Sequence, residues 1–283
     1  MALLDRLNRR AKDPNAEMTF IDHLEELRWV ILRCVLAALI GAIVVFWFKE
    51  FFFNEIVMAP SRMDFVTYKY MCAAGKYIGI GSGLCIEPFS IKLQSNEMVG
   101  QFNMAFSFSF VAGFIIAFPF IFWQIWRFIK PALNDKERSG ITGVVFWVSL
   151  LFFIGICFGY YFLAPYAFNF FATFTLSPSI EVKPTVQDYL DLLLTFTLGC
   201  GLAFQLPIVL YFLGKVGIVT ASFLKQYFRH AIVIIVIIAA IITPPDGITQ
   251  IIVSTPLILL YWVSIALVAK VNKEKKQAEQ EWS

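Results

Sequence analysis

Long apolar runs dominate the chain, and five of them are long enough to cross a lipid bilayer as helices. A membrane-spanning helix needs about 20 apolar residues to cross a hydrocarbon core of about 30 Å. The runs that reach this length are residues 29–48, 104–126, 141–167, 192–214 and 248–269. The first contains one charged residue, Arg33, and the other four contain none. The pattern therefore predicts an all-α integral membrane protein.

A sixth apolar run, residues 231–242, is purely aliphatic but only 12 residues long. At 1.5 Å per residue it would extend about 18 Å, less than the thickness of the hydrocarbon core. Residues 243–247 alone separate it from the last long run, and so short a connection favours a helical hairpin. With its flanks, as residues 229–243, we interpret it as a short fifth crossing that neighbouring helices or a thinned membrane must accommodate.

The distribution of basic residues predicts the orientation of the chain. With six crossings, 17 of the 23 Lys and Arg residues lie on one side of the membrane and six on the other. Basic residues are enriched in cytoplasmic loops, so we expect both termini in the cytoplasm. Residues 1–28 and 270–283 are then cytoplasmic segments, and residues 49–103 form the outer loop. Prolines in the spans favour bent helices and a concave face. They are Pro119, Pro165, Pro207 and Pro256.

The overall composition excludes several classes of protein. Hydrophobic residues make up 59% of the 283 residues and charged residues 15%, whereas a soluble domain is about half apolar and a quarter charged. A soluble enzyme, a disordered chain and a coiled coil are therefore excluded. A formal net charge of +3 does not indicate nucleic-acid binding. No phosphate-binding loop and no HExxH motif occurs, so we expect no catalysis, no cofactor and no metal site.

Polar side chains are scarce within the predicted spans. One function to consider is a secondary transporter of a small solute. Such a protein would need ionisable or clustered polar residues near the middle of the membrane. Gln205 lies well inside the fourth span, where it either joins two helices by a hydrogen bond or contacts a partner. No carboxylate lies in a predicted hydrocarbon region, which disfavours a proton or sodium relay. A purely structural scaffold is another hypothesis.

Carboxylates occur instead at the predicted cytoplasmic surface, where the surroundings are basic. Glu26 precedes the first span, and Glu137 lies in the connection between the second and the third. A carboxylate in such a place can bind a guanidinium group through charge-assisted hydrogen bonds. The alternative is that Glu26 and Glu137 pair with their neighbours Arg28 and Arg138, which would contribute well under about 1 kcal/mol.

Two cysteines, Cys72 and Cys85, lie in the predicted outer loop, where thiols can oxidise. A disulfide that closes this loop would contribute about 3 kcal/mol in the chain-entropy description. The alternative is two unpaired cysteines that act as small apolar residues. Alkylation without reductant, followed by a mass measurement, distinguishes the two.

Four segments of the chain resemble the TatC family, the multispanning receptor of the twin-arginine protein translocase. Residues 20–28, FIDHLEELR, are similar to the HLxELR segment that opens the family. The other three are Met58-Ala59-Pro60, which resembles an APL segment; residues 126–138, which resemble the family's W-x-F-I-x-PAL-x-x-x-ER connection; and residues 243–246, TPPD, between the last two spans. The segments agree with the family in order and spacing, and the resemblance covers nearly the whole chain.

The resemblance implies a function at the cytoplasmic face of the bacterial inner membrane. TatC-like proteins recognise the paired arginines of signal peptides on folded proteins. By residue match, Glu26 and Glu137 would bind those arginines, and Arg28 and Phe128 would shape the surface around them. Family members have a glove-like fold with two short last helices. They assemble with single-span TatA/TatB-type partners and with copies of themselves, and the proton gradient drives transport.

Three further residues are assigned to architecture or assembly by the same resemblance, namely Pro60, Gln205 and Asp246. Many relatives carry a glutamate where this chain has Gln205. The amide removes a charged contact inside the membrane but keeps the capacity to donate and accept hydrogen bonds. The outer loop is also longer than is usual in the family, so we expect contacts that depend on this loop to differ.

Overall fold

A computed structural model describes residues 20–62, 64–68, 70, 77, 93–129, 143–175, 177, 183–243 and 247–280 of the chain. Within these residues the regular structure is helical, apart from an isolated bridge between Gln94 and Thr185. Five helical stretches among them are long and apolar enough to cross a membrane. The prediction of an all-α membrane protein is therefore confirmed.

Eight helices, numbered in chain order, organise the described residues. They are α1 (Phe20–Trp47), α2 (Gly100–Ile129), α3 (Val144–Thr173), α4 (Val186–Ala203), α5 (Leu206–Val216), α6 (Ala221–Gln226), α7 (Phe228–Ile242) and α8 (Gly247–Gln280). The Thr185 hydroxyl accepts from the Asp188 N–H while the Asp188 carboxylate accepts from Thr185, and this reciprocal cap starts α4.

Two helices extend well beyond the spans predicted from hydropathy. α1 begins at Phe20 rather than at Trp29, so the segment FIDHLEELR is helical and continuous with the apolar part of α1. α8 continues to Gln280, because the Lys, Glu, Gln and Ala residues that follow its apolar part are good helix formers. The extension of α1 places Glu26 on a rigid helix.

α1 and α2 run antiparallel and approach most closely at two glycines. A Cβ atom on Gly41 would lie 2.7 Å from the carbonyl oxygen of Gly113, and a Cβ atom on Gly113 would overlap the backbone of α1. Small residues allow the backbones of two membrane helices to come together in this way. Farther out, the rings of Phe46 and Phe106 lie 5.0 Å apart, so the pair stays in contact beyond the glycines.

α3 and α4 use the same kind of contact. A Cβ atom on Gly155 would lie 2.6 Å from the carbonyl oxygen of Cys200, and one on Gly159 would overlap the Phe196 carbonyl. Between Phe158 and Leu163 the helix α3 widens into a π-helical turn. Phe196 and Leu163 are completely buried there, so this crossing forms part of the main hydrophobic core.

The fourth predicted span is interrupted between α4 and α5. Pro207 has no N–H group to donate to the carbonyl of Ala203, so the α-helical ladder cannot continue through it. The Gln205 N–H instead bonds to the Leu202 carbonyl at 3.0 Å, which tightens the chain at this point. The break is the bend that the sequence predicts at Pro207.

α7 and α8 form an antiparallel hairpin with a short first member. α7 contains 15 residues, which corresponds to about 22 Å. The Gln250 amide of α8 donates to the Val236 carbonyl in the middle of α7 at 3.3 Å, and the Tyr261 hydroxyl of α8 donates to the Leu224 carbonyl of the preceding α6 at 3.0 Å. The helix is too short to count among the five long spans, so a crossing by α7 stays a prediction.

The turn that follows α1 is fastened by three tyrosines. It consists of a π-helical turn, Phe52–Val57, and a 3-10 turn, Ala59–Ser61. Irregular turns leave carbonyl groups without partners in their own segment, and hydroxyl groups from other segments supply the donors. The pairs are Tyr160 with Ile56 at 2.6 Å, Tyr189 with Val57 at 2.7 Å and Tyr68 with Pro60 at 2.6 Å. We call these three tyrosines the tyrosine clamp.

Candidate functional site

An aromatic stack joins the beginning of α1 to the end of α2. The rings of His23 and Phe128 lie 4.3 Å apart with an interplanar angle of 18°. The two residues come from helices that run antiparallel, so the stack holds together the ends that the topology prediction assigns to the cytoplasm. This contact, which the sequence motifs do not reveal, places Phe128 at the end that α1 and α2 share, and we call this end the rim.

Glu26 lies on the same face of α1 as His23. Residues three apart on a helix share a face, and the side chains of His23 and Glu26 are both half-buried. Val30, one turn farther, is 7% exposed and continues this face into the packed part of the helix. The arrangement places Glu26 at the rim formed by the α1–α2 pair, near the level of the aromatic stack.

Arg28 does not share this face. Two residues along a helix correspond to a rotation of about 200°, so Arg28 lies on the opposite side of α1 from Glu26. Its side chain is exposed, as is that of Glu25. The structure therefore brings Glu26 and Phe128 to one rim and leaves Arg28 on the outward surface. Arg127, next to Phe128, is also exposed and adds positive charge to this end of α2.

The ion pair that the structure shows among the described residues does not involve Glu26. Arg62 and Glu55, on the turn after α1, approach to 3.4 Å with both side chains exposed. Glu26 and Arg28 form no such pair, because residues two apart on a helix do not face each other. Between the two alternatives for Glu26, the structure removes its pairing with Arg28. A half-buried carboxylate remains at the rim.

Four predicted residues lie outside the described residues, namely Glu137, Asp246, Cys72 and Cys85. Their roles, including the disulfide and its unpaired alternative, stay predictions. By sequence, Glu137 follows the last described residue of α2, Ile129, by eight positions.

Gln205 joins two helices at the break between α4 and α5. Its Nε2 donates to the Val148 carbonyl of α3 at 3.2 Å. Its Oε1 is buried and has no hydrogen-bond partner among the described residues, and the Oγ of Ser149, adjacent to Val148, is in the same situation. A buried acceptor without a donor costs about 1–3 kcal/mol. The helix-joining hypothesis for Gln205 accounts for one end of its amide, and the other end is enclosed without a donor among the described residues.

Pro60 is completely buried in the 3-10 turn, and its carbonyl accepts the Tyr68 hydroxyl of the tyrosine clamp. This position agrees with the architectural role that the family resemblance implies, although the role itself stays a prediction. The sequence analysis missed the clamp and the partner of His23. Two signals were present: tyrosines among many phenylalanines near outer span ends, where Tyr is favoured, and the three-residue spacing of His23 and Glu26.

Comparison with known proteins gives consistent results. A family model described as "Sec-independent protein translocase protein (TatC)" matches residues 22–256. The TatC of Blattabacterium sp. subsp. Periplaneta americana is 36% identical over 265 residues, covering 93% of this chain and 100% of that protein. The TatC of Helicobacter pylori is 43% identical over 176 residues, covering 62% of this chain and 69% of that protein.

Solved structures agree with the sequence relatives. The crystal structure of a twin arginine translocase receptor, TatC, matches with a TM-score of 0.68 and 31% sequence identity, covering 88% of this chain and 99% of that one. A second structure of a TatC receptor, in the detergent DDM, matches with a TM-score of 0.69, covering 87% and 98% of the two chains.

Proposed function

Because the chain belongs to the TatC family of Sec-independent protein translocase proteins, we propose that it is the subunit that binds twin-arginine signal peptides of folded proteins. As a multispanning membrane component of a bacterial translocase it has a transport role. One observation carries the proposal: Glu26 lies half-buried at the rim of the α1–α2 pair, without an ion pair among the described residues. A carboxylate in that state is prepared for a cationic ligand.

The chemistry of the carboxylate favours arginine over lysine. A guanidinium group offers planar, paired N–H donors that match the two oxygens of a carboxylate, whereas an ammonium group is a point charge. A hydrogen bond to a charged group contributes about 1.5–3 kcal/mol, more than a bond between neutral groups. Glu26 binds one arginine of the pair in this proposal, and Glu137 supplies the carboxylate for the other.

The aromatic stack of His23 and Phe128 has two functions in the proposed site. It keeps the ends of α1 and α2 together, so that Glu26 is held at a defined distance from Phe128. The exposed part of Phe128 also offers an aromatic surface next to the carboxylate. An arginine side chain packs favourably on such a surface, since cation–π contacts contribute about 0.5–1 kcal/mol at exposed sites.

The proposal includes the orientation of the chain in the bacterial inner membrane. With six crossings and both termini in the cytoplasm, the 17:6 distribution of basic residues follows the positive-inside rule. α7 is then a short crossing, and the bent helices form the glove-like shape of the family. Labelling of single cysteines by a membrane-impermeant reagent tests this: a cysteine at the exposed Ser222, between α5 and α7, should be protected in intact cells.

The rest of the proposal concerns assembly and energy. The chain assembles with single-span TatA/TatB-type proteins and with further copies of itself, and the proton gradient is the energy source. Gln205 is assigned to this assembly by the family resemblance alone. For the alternative function, solute transport, uptake into liposomes that contain this protein alone would be the supporting result.

Site-specific photocrosslinking tests the proposed binding site. A photoreactive amino acid at Trp29, which is 52% exposed and shares a helix face with Glu26 three positions before it, should crosslink to a peptide with paired arginines. The matched control is Trp47 at the other end of α1, which is 81% exposed and should give no adduct with the peptide. A peptide with two lysines should crosslink less at Trp29. Equal crosslinking of both peptides, or from both ends of α1, would contradict the proposal.

A further inference from the structure

A cleft opens on the surface of the molecule, where α6 and the start of α7 meet α8. Its volume is about 450 Å³, which lies within the range of small-ligand sites. One basic residue and five apolar ones line it. They are Lys225, Phe228, Trp262, Ile265, Ala266 and Ala269. Because Ala266 and Ala269 are small and α6 is short, a groove remains between these helices.

The position of the cleft along α8 puts it at the boundary of the bilayer. The apolar part of α8 extends from Thr249 to Lys273. At 1.5 Å per residue a hydrocarbon core of about 30 Å reaches from Thr249 to about Ala269. The apolar lining of the cleft therefore lies in the outermost part of the hydrocarbon layer. Lys225 and the end of α8 then lie at the level of the lipid headgroups.

The charged side chains that the structure describes around the cleft are all basic. Between Asp191 and Glu274 the sequence has one acidic residue, Asp246, which precedes α8; Glu274 itself follows Lys273, and its side chain lies outside the described ones. Four basic residues near the cleft are exposed, and none of them has an ion pair within the described part of the chain. They are Lys225, Arg229, Lys270 and Lys273. Lys273 follows Ala269 by four positions and so shares its helix face.

We propose that this cleft binds an anionic phospholipid. The acyl chains lie against Phe228, Ile265 and Ala266, and the Lys225 ammonium group binds the phosphate. Basic pockets between membrane helices bind anionic headgroups in this manner, and a long lysine side chain readily places its charge at the headgroup level. A zwitterionic lipid offers no net charge to the basic surroundings. This inference does not depend on signal-peptide binding.

Lipid is favoured over a partner helix as the occupant. Trp262 is 68% exposed at the mouth of the cleft, about 10 Å deeper along α8 than Ala269, at a depth where the acyl chains of a bound lipid would lie. The surrounding lysines attract phosphate, and a transmembrane partner would have to bring carboxylates to the same level to match them. A partner helix is therefore one of the outcomes that the following experiments distinguish.

Native mass spectrometry of the full chain in detergent, with added lipid, measures the headgroup preference. Phosphatidylglycerol should be retained more strongly than phosphatidylcholine of the same chain length. Lys225→Gln should reduce retention of phosphatidylglycerol about fivefold, because a lysine near an anionic lipid surface contributes about 1 kcal/mol. The control is Lys49→Gln, at an exposed lysine just after the C-terminal end of α1, and it should leave the retention of phosphatidylglycerol unchanged. Equal retention of the two lipids, or no effect of Lys225→Gln, would overturn the proposal.

A photoreactive amino acid at Trp262 identifies the occupant directly, without altering Lys225. In the native membrane it should give an adduct with the mass of an anionic phospholipid. Ala266→Phe, combined with the photoreactive residue, should fill the cleft and reduce this adduct while leaving all the lysines in place. An adduct dominated by a polypeptide would overturn the proposal in favour of a partner helix, and an adduct dominated by zwitterionic lipid would overturn the headgroup assignment.

Discussion

The two ends of the α1–α2 pair use their polar groups in opposite ways. At the turn that follows α1, the carbonyls of Ile56, Val57 and Pro60 each accept a tyrosine hydroxyl from another part of the chain. At the other end, Glu26 is half-buried and has no ion pair among the described residues. Polar groups that are satisfied internally stabilise the fold. A charged group left unsatisfied at a rigid rim contributes little to stability and is available to a ligand.

The glycine contact between the two ends is expected to affect both stability and the proposed peptide binding. Gly41 and Gly113 let the backbones of α1 and α2 approach, and this approach keeps His23 opposite Phe128. The glycines, the tyrosine clamp and the rim are therefore expected to respond differently to substitution. Changes at the glycines should affect both properties, changes in the tyrosine clamp should affect stability, and changes at the rim should affect peptide binding.

The largest effect is expected for Gly113→Val, since its Cβ would overlap the α1 backbone, which cannot move aside. Overpacking of this kind typically costs about 1–3 kcal/mol, and we expect a lower midpoint of thermal unfolding in detergent together with weaker peptide binding. Gly199→Val is the matched control, because a Cβ there meets only the side chain of Ile242, at 2.9 Å, which can rotate. An equal loss in both variants would contradict the role of the close backbone contact.

Next in size is Tyr189→Phe in the tyrosine clamp. The variant removes the donor at 2.7 Å from the Val57 carbonyl and leaves that oxygen buried without it. A loss of about 1–3 kcal/mol in the free energy of unfolding follows, while signal-peptide binding should be unchanged once the protein is folded. Tyr166→Phe, a tyrosine of α3 outside the clamp, is the control. Weaker peptide binding at full stability would break the division between the two ends.

A smaller effect is expected for His23→Ala at the rim. Aromatic pairs contribute about 0.5–1.5 kcal/mol beyond their buried area, so peptide binding should weaken by about 2- to 12-fold. His23→Phe restores a ring that can stack on Phe128 and should restore binding. The affinity is measured by titration of a labelled paired-arginine peptide. If His23→Phe binds as weakly as His23→Ala, the stack is not what positions the rim.

The smallest effect is the pH dependence of thermal stability that comes from Tyr68, in the tyrosine clamp at the turn after α1. Burial raises the pKa of Tyr68 to about 12 from its ordinary value of 10.0. The neutral phenol therefore contributes stability that is complete below about pH 10 and is lost as the pH rises toward 12, because the phenolate can no longer donate to Pro60. Between pH 9 and about 11.5 the wild type should lose more thermal stability than Tyr68→Phe. Parallel losses in the two proteins would argue against the clamp as the cause.

Sequence reasoning reached the helical membrane fold because about 20 consecutive apolar residues leave few alternatives. It could not find the tyrosine clamp, since Tyr189 and Val57 are 132 residues apart and no local pattern links them. The match to the family assigns Glu26 and Arg28 to one patch, but a sequence match does not say which way each side chain faces. Because α1 already begins at Phe20, helical geometry puts the two residues on opposite faces.

The central claim is that the Glu26 carboxylate distinguishes arginine from lysine, and the most direct measurement is the ratio of two dissociation constants. The ratio compares a signal peptide with paired lysines to the same peptide with paired arginines, in the wild type and in Glu26→Gln. The account predicts a ratio of about 10 or more in the wild type, from a difference of about 1.4 kcal/mol or more, and a ratio close to 1 in Glu26→Gln at unchanged thermal stability. An unchanged ratio in Glu26→Gln would contradict the account.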